Sequence, residues 1–435
     1  MARLTKNQVL TTLDGKNIKV IDKLGEGGQG IVYKIKCENK NYALKWYKKP
    51  CDDSFYKNLC DNVKRGAPAA TFLWPLAITE KDSDGSFGYV MKLCPKRYQP
   101  LSQFLLNNAK FKNLSAMINA GIQITASFRA LHNKGDSYQD LNDGNFFIDP
   151  ETGKILICDN DNVAPNGTNL GILGKPRYMA PEVVCQNHLP DTYSDRFSLA
   201  VILFLLFFRG HPLEGMRDNC DREDNEKSLF CKMPIFVFDP NDSTNRPNPA
   251  IHRNVNVLWN VYPPFVRNQF IKAFDKNLMR SNGTGRGDRV MEKEWLKMFQ
   301  KLRHSVIVCP ECGDETFFNM KKENHKCMNC DVNITRPAVL SIRDELIPLQ
   351  FGKRLYSWEI DVDKELSIDS VNEAWAQVIA NPKKPGVFGL KNISDNTWYR
   401  HTPGGKEFVC APNGQVTIIR TNTIKFGTKG EGIIV

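Results

Sequence analysis

Tyr138-Gln139-Asp140-Leu141-Asn142-Asp143-Gly144-Asn145, followed beyond a short apolar hairpin by Asp159-Asn160-Asp161, is the stretch that decides how this chain is read. It sets an Asp, an Asn five residues later and a second Asp across the hairpin. Moving a phosphoryl group needs such a set. One carboxylate orients the attacking hydroxyl, and an amide and another carboxylate hold the metals that neutralise the phosphates. Alone the stretch is only suggestive, and the segments on either side of it have to agree.

Upstream, Leu24-Gly25-Glu26-Gly27-Gly28-Gln29-Gly30-Ile31-Val32 fits G-x-G-x-x-G-x-V between two apolar runs that read as strands, Ile18 to Ile21 and Ile31 to Ile35. Glycines there let backbone N–H groups approach a phosphate without interference from Cβ atoms. The bland reading is a glycine-rich hairpin turn. A dinucleotide fold would want a helix after the glycines, and here a strand follows. Tyr42-Ala43-Leu44-Lys45 comes next, with Lys45 fifteen residues past Gly30. Alternation buries Ala43 and directs Lys45 toward the glycine loop. Taken alone Lys45 would be a surface lysine; with the acidic stretch downstream, a phosphate-binding role is favoured.

With these segments the chain resembles eukaryotic-type protein kinases over residues 15–303, with an N-lobe of 15–92 and a C-lobe of 93–303. The resemblance implies ATP and magnesium as cofactors and protein hydroxyls as acceptors, including the chain's own. Asp140 matches the catalytic Asp, Asn145 the metal-binding Asn and Asp159 the magnesium-ligating Asp. Gly25, Gly27, Gly28, Gly30, Val32 and Lys45 match the nucleotide-binding positions. Met91-Lys92-Leu93-Cys94 matches the adenine-binding hinge, with Met91 guarding the back of the pocket. Ala180-Pro181-Glu182 is intact, Arg289 is the expected ion-pair partner of Glu182, and Asp195-Arg196-Phe197-Ser198-Leu199-Ala200 looks like the buried helix that anchors the catalytic loop.

The departures from the family pattern carry information. Tyr138 and Gln139 replace the usual His and Arg, and the missing Arg is what clamps a phosphorylated activation loop. Thr168 is the only hydroxyl between Asn162 and Gly174. Activity independent of activation-loop phosphorylation is therefore expected. Asn142 replaces the lysine that supports the transferring phosphate, and Lys175 replaces a Thr. Either Lys175 supplies the cation that Asn142 cannot, or it is an exposed lysine. Asn160 stands where an apolar Phe is usual and needs hydrogen-bond partners if buried. Asp161 either assists the metal or caps a turn, and the turn is favoured. The expected helix Asp53 to Arg65 carries no Glu to pair with Lys45, leaving Asp61 and Asn62 as substitutes. The combination of Phe72-Leu73-Trp74-Pro75, Cys158 to Val163 and Gly174-Lys175-Pro176-Arg177-Tyr178-Met179-Ala180-Pro181-Glu182 resembles the bacterial kinases of the tellurite-resistance TerY-type triad. That resemblance implies a von Willebrand A-type protein and a PP2C-type phosphatase as partners.

The chain has 435 residues, a net charge of +11 and thirteen cysteines, enough for two or three domains. Its basic residues are scattered, which argues against a nucleic-acid stripe. Met1 to Leu10 has no apolar core, and the longest apolar run, Phe197 to Phe208, is too short to span a bilayer. A reducing cytoplasm fits the dispersed cysteines better than a disulfide framework. Cys309-x-x-Cys312 and Cys327-x-x-Cys330 lie fourteen residues apart and can close a tetrahedral thiolate shell. They predict a structural zinc ribbon over residues 304–335, serving as connector or docking module.

Residues 338–435 change texture: short strand-like runs, including Trp358 to Asp361, alternate with turn residues and predict a β-sandwich. Gly389 to Trp398 and Ile424 to Gly427 resemble the second half of forkhead-associated (FHA) domains. Lys353 stands in the place of that family's phosphate-binding Arg, no S-R-x-H follows, and Asn396 matches the family's Asn or merely sits in a turn. A degenerate interaction module is expected. The fold class is thus α+β, a two-lobed kinase followed by a zinc ribbon and a small β-sandwich. The resemblance implies a Ser/Thr protein kinase, a cytoplasmic setting is expected, and the rival reading is a pseudokinase scaffold.

Overall fold

Alternating apolar residues build the N-terminal sheet. β1 (Val9–Thr11), β2 (Asn17–Glu26), β3 (Gly30–Cys37), β4 (Lys40–Tyr47), β5 (Ala77–Ile78) and β6 (Gly88–Lys92) pair antiparallel in the order β1-β2-β3-β4-β6-β5. One set of alternate residues, among them Ile18, Val20, Ile31, Ile35, Leu44 and Trp46, forms one apolar core. The other set, including Ala43, Tyr47, Phe87, Tyr89 and Met91, forms a second core with Phe55 and Leu59. The latter pair comes from α1 (Asp53–Arg65), capped at its start by the Asp52 carboxylate accepting from Phe55 N and ended by Gly66 at φ 71°. Lys45 thus shares a strand face with Ala43 and Tyr47.

The structure is a computed structural model and describes residues 3–171, 173–217 and 228–435. Met1 and Ala2, part of the stretch read for a leader, and Ile172 of the activation segment lie outside them. The described chain divides into two compact units. The first comprises Met1–Lys110, Ser127–Val261 and Asn268–Glu292; the second comprises Phe111–Ala126, Tyr262–Arg267 and Lys293–Val435.

In the first unit, short hairpins frame the acidic stretch. β9 (Phe146–Ile148) pairs with β10 (Ile155–Ile157) and with β7 (Gln99–Pro100), and β8 (Asp136–Ser137) pairs with β11 (Ala164–Pro165). Helix α2 (Leu101–Leu105) and the end of the long α3 (Leu114–Asn133) precede them, and α4 (Pro181–Val184) follows. Behind lies α5 (Thr192–Phe208), capped by Asp191 and buried on all sides from Phe197 to Phe208. A helix apolar all round must be surrounded, and rings of Phe236, Trp259, Phe270 and Phe274 do this around Phe204 and Phe208. The apolar run is therefore a core helix. Among the described residues no helix is long and apolar enough to cross a membrane.

Cys185, at the end of α4, is disulfide-bonded to Cys231. This departs from the expectation of a chain without disulfides: the fold brings together two cysteines 46 residues apart whose sequence context gives no sign of pairing.

In the second unit, β12 (Val306–Val308) pairs with β13 (Glu315–Phe317) and β14 (Asn324–Lys326) with β15 (Asn333–Thr335). The C-terminal region is β-rich, as expected. A six-stranded sheet has the order β17 (Glu345–Pro348), β16 (Val339–Ile342), β25 (Glu431–Ile434), β24 (Thr423–Lys425), β21 (Trp398–His401), β22 (Glu407–Cys410). A four-stranded sheet has the order β18 (Arg354–Tyr356), β19 (Ala374–Ala380), β20 (Phe388–Asn392), β23 (Gln415–Thr417). Leu340, Ile347, Trp398 and Ile424 from the first sheet and Leu355, Val378, Leu390 and Val416 from the second share one apolar core. Trp358 to Asp361, expected as a strand, is instead a short helix over Ser357–Ile360. The Glu359 carboxylate closes the turn by accepting from Tyr356 N at 2.7 Å and from buried His304 at 2.9 Å.

Candidate active site

The catalytic stretch is held from behind by α5. Asp195 accepts from the backbone N–H groups of Tyr138 at 2.6 Å and Gln139 at 3.0 Å, as expected for the helix that anchors this loop. Tyr138, fully buried, donates its hydroxyl to the carbonyl of Cys158 and so ties the loop to the strand end before Asp159. Gln139 takes a left-handed φ of 71°, rare for a residue with a side chain. Its amide reaches the carbonyl of Thr168 at 2.6 Å, and its side-chain oxygen accepts from Asn169 at 3.1 Å. A neutral amide thus holds the activation segment where an Arg would need a phosphate.

Asn142 and Asn145 form a reciprocal cap: the backbone N–H of Asn142 donates to Asn145 Oδ1 at 2.7 Å. Asn142 also donates to Asp140 Oδ1 at 3.3 Å and accepts from Lys175 Nζ at 2.9 Å. Lys175 is therefore tied to the catalytic loop through Asn142 and is not a free surface lysine. Burial pushes the Asp140 carboxyl above the usual carboxylate range, while Lys175 beside it pulls the other way. Gly174, at φ 94° with Gln139 O only 3.2 Å from where a Cβ would sit, brings the segment close enough for this contact.

Lys45 lies opposite Val32 and Tyr89 in the sheet register. Its ammonium contacts Asp159 at 3.1 Å and Asp161 at 2.8 Å. Burial alone would lower its pKa, but the two carboxylates more than offset this and raise it above the usual lysine range. The Asp161 carboxylate also accepts from Tyr47 Oη at 2.6 Å and Tyr89 Oη at 3.5 Å. Asp161 is thus neither a free metal ligand nor simply a turn cap, the role favoured from sequence. The reason is its full burial beside Lys45. One signal pointed this way: Tyr47 alternates with Lys45 on the same strand face. Asn160, as expected, is buried and bonded, donating to the carbonyls of Leu73 at 3.0 Å and Ile157 at 2.9 Å.

Asp159 sits in the left-handed region, φ 55°, with its side chain 44% exposed. Its carboxylate and the Asn145 amide oxygen are hard oxygen donors, the class that magnesium prefers. Gly25, Gly27 and Gly28 have nothing within 4 Å of a built Cβ, so their side of the sheet is open to a ligand's approach. Gly30 is different: its Cβ would meet Trp46 O at 2.7 Å, so strand packing requires that glycine. Met91 is buried opposite Ala43, and Cys94 is half-buried just beyond β6.

Cys309, Cys312, Cys327 and Cys330 converge in the second unit, all four sulfurs lying within 4.8 Å of one another. Four thiolates at this spacing suit a closed tetrahedral shell.

The family model of the protein kinase domain matches residues 18–286, more than half of the chain. The chain belongs to the protein kinase family. It is 25% identical over 199 residues to the probable serine/threonine-protein kinase zyg-1 of Caenorhabditis briggsae, covering 44% of this chain and 27% of that one. It is 27% identical over 243 residues to the eye isozyme of protein kinase C of Drosophila melanogaster, covering 52% and 31%. It is 30% identical over 107 residues to the serine/threonine-protein kinase Sgk1 of Xenopus tropicalis, covering 24% and 25%. The chain thus spans about a third or less of the length of these curated relatives.

Proposed function

We propose that this chain is an ATP- and magnesium-dependent Ser/Thr protein kinase that phosphorylates protein hydroxyls, its own included. The observation that carries the reading is the acidic set itself. Asp140, hydrogen-bonded to an Asn142–Lys175 pair, and Asn145 stand on a loop anchored by Asp195, and the exposed Asp159 follows on the turn after β10. Asp140 orients the acceptor hydroxyl and takes its proton; burial, by raising its pKa, makes it a better base. Lys45 holds the α- and β-phosphates. Lys175 stabilises charge on the transferring group, replacing the lysine absent at Asn142. Asn145 and Asp159 would hold magnesium, which when bound supplies charge neutralisation at the phosphates. Met91 to Cys94 receive adenine through backbone groups. Gln139 keeps the activation segment ordered without phosphorylation. Preference for Ser and Thr over Tyr rests on the names of the relatives.

The module boundaries at 15–303, 304–335 and 338–435 belong to this proposal. So do zinc in the four-cysteine cluster, the FHA-like character of the last module, a cytoplasmic setting, and vWA- and PP2C-type partners. In the last module Lys353 donates to the carbonyl of Arg303 at 3.1 Å and Asn396 sits in a turn under Asn392, which supports a degenerate module. The pseudokinase reading is not favoured, since Lys45, Asp140, Asn145 and Asp159 are all present.

The test is phosphate incorporation from γ-labelled ATP with magnesium, into the protein itself and into a basic acceptor, for wild type beside Asp140→Ala. Incorporation that falls by ~10²–10⁴-fold in the variant supports the reading. Incorporation equal in both proteins, or absent from wild type with every acceptor, overturns it.

A further inference from the structure

The helix next to the phosphate-binding lysine brings it no charge. Asp61 of α1 is half-exposed and its nearest cation is Lys64 at 3.8 Å. Asn58 and Asn62, on the buried face of α1, donate to the carbonyl of Val163 at 2.8 and 2.9 Å. Lys45 is nevertheless 7% exposed, and a buried ammonium without a counter-charge is strongly disfavoured. Its two carboxylates differ. Asp159 keeps 44% exposure and is free to turn outward, whereas Asp161 has none. Both Asp161 oxygens are taken: Oδ2 by Lys45 and Tyr47, Oδ1 by Lys45 and Tyr89. Asp161 is therefore the permanent partner of Lys45 and Asp159 the releasable one.

We propose that Asp161 is the positioning residue that aims Lys45 at the nucleotide phosphates, so that a carboxylate two residues beyond the magnesium ligand takes over the task of a charged residue on α1. The inference rests on the phosphotransfer reading and deepens it. The metal ligand and the anchor of the lysine share one short turn, and that turn is fixed to β4 through Tyr47 as well as Lys45. Lys45 thus takes its counter-charge from the turn that carries the metal ligand, and α1 reaches it only indirectly, through the hydrogen bonds of Asn58 and Asn62 to the Val163 carbonyl at the end of that turn.

The experiment is a double-mutant cycle on the full chain: wild type, Lys45→Met, Asp161→Asn and the double variant, with Asp61→Ala as control. Each protein is read for melting temperature, for Mg-ATP affinity by calorimetry and for kcat/KM of phosphate incorporation. Asp161→Asn is expected to lower kcat/KM by on the order of 10–100-fold, as misplacing a phosphate-binding group does. It is expected to weaken Mg-ATP binding in the same direction, and to cost nothing further in the Lys45→Met background. Asp61→Ala is expected to match wild type. An equal loss from Asp161→Asn in both backgrounds overturns the proposal, as does an unchanged kcat/KM or a full loss in Asp61→Ala. If Asp161→Asn does not fold, Tyr47→Phe replaces it in the same cycle, where a loss confined to the Lys45 background supports the proposal and an equal loss in both overturns it. A wild type that shows the affinity pattern but transfers no phosphate refutes the kinase reading and leaves the positioning role standing.

Discussion

Glu182 and Arg289 meet through two parallel hydrogen bonds of 2.7 Å, with side chains 0% and 2% exposed. The remaining Arg289 donors go to the carbonyls of Leu278 and Tyr193. Lys45 is almost as deeply buried, yet one of its two carboxylates, Asp159, opens to solvent. Both clusters contain a buried cation facing carboxylate. In the first, both carboxylate oxygens and all the guanidinium donors are engaged within the protein away from solvent, so it braces the structure. In the second, one acceptor is left over, and that acceptor can serve a ligand. The difference between a brace and a site lies in this unspent oxygen rather than in the presence of charge.

The sharpest way to break this comparison is to neutralise the exposed member. Asp159→Asn is expected to reduce phosphate incorporation by ~10³-fold, as removal of a preorganised electrostatic group does. Because the residue is exposed, its stability should change by no more than about 0.5 kcal/mol. A large loss of stability would mean that Asp159 is a brace as well. Arg289→Met is the mirror experiment. It leaves Glu182 buried without a partner and should destabilise by about 3–5 kcal/mol in denaturant titration. The protein that remains folded should transfer phosphate at close to the wild-type rate. Arg177, in contrast, faces Glu214 from a 40% exposed position, and its ion pair belongs to a weaker class.

Lys175→Ala tests the proposed exchange of Lys175 for the cation missing at Asn142. It should lower kcat by about 10–100-fold while leaving KM for ATP within a few-fold of wild type, a loss confined to the transition state. Full activity in this variant would return Lys175 to the status of a surface lysine.

The smallest effect is a pH dependence. His132 is bonded to Glu292 at 2.8 Å and Asp195 at 3.2 Å. Burial pulls its pKa down, but the two carboxylates lift it to about 9. Since the folded value lies above the unfolded one, this stabilisation is fully present below pH ~6.5 and fades as pH rises through about 9. Denaturant titrations between pH 7 and 8 should show stability falling by at most about 1.4 kcal/mol per pH unit, and His132→Gln should flatten that slope.

The motif residues were legible because type and spacing alone define their chemistry. Gly25 to Val32 span the turn from β2 to β3, Lys45 lies on β4, Asp140 and Asn145 lie on the loop that Asp195 anchors, Asp159 follows β10, and Glu182 meets Arg289. The loss of a cation at Asn142 and its gain at Lys175 are both sequence facts, and the structure joins these two side chains at 2.9 Å. What could not be read was whatever depended on long-range placement. Asp161 finds Lys45 across 116 residues, and only the folded sheet shows that α1 offers no rival. The turn at Ser357–Ile360 looked like a strand because its closing carboxylate is held by His304, 55 residues earlier. The Cys185–Cys231 bond has no local signature at all.

Whether the open carboxylate makes a metal-nucleotide site can be measured directly. ATP binding to the full chain would be followed by calorimetry with and without magnesium, for wild type and for Asp159→Asn. Magnesium should tighten ATP binding to wild type and give no such gain in the variant. An identical response to magnesium in both proteins would deny Asp159 the metal and contradict the distinction between brace and site.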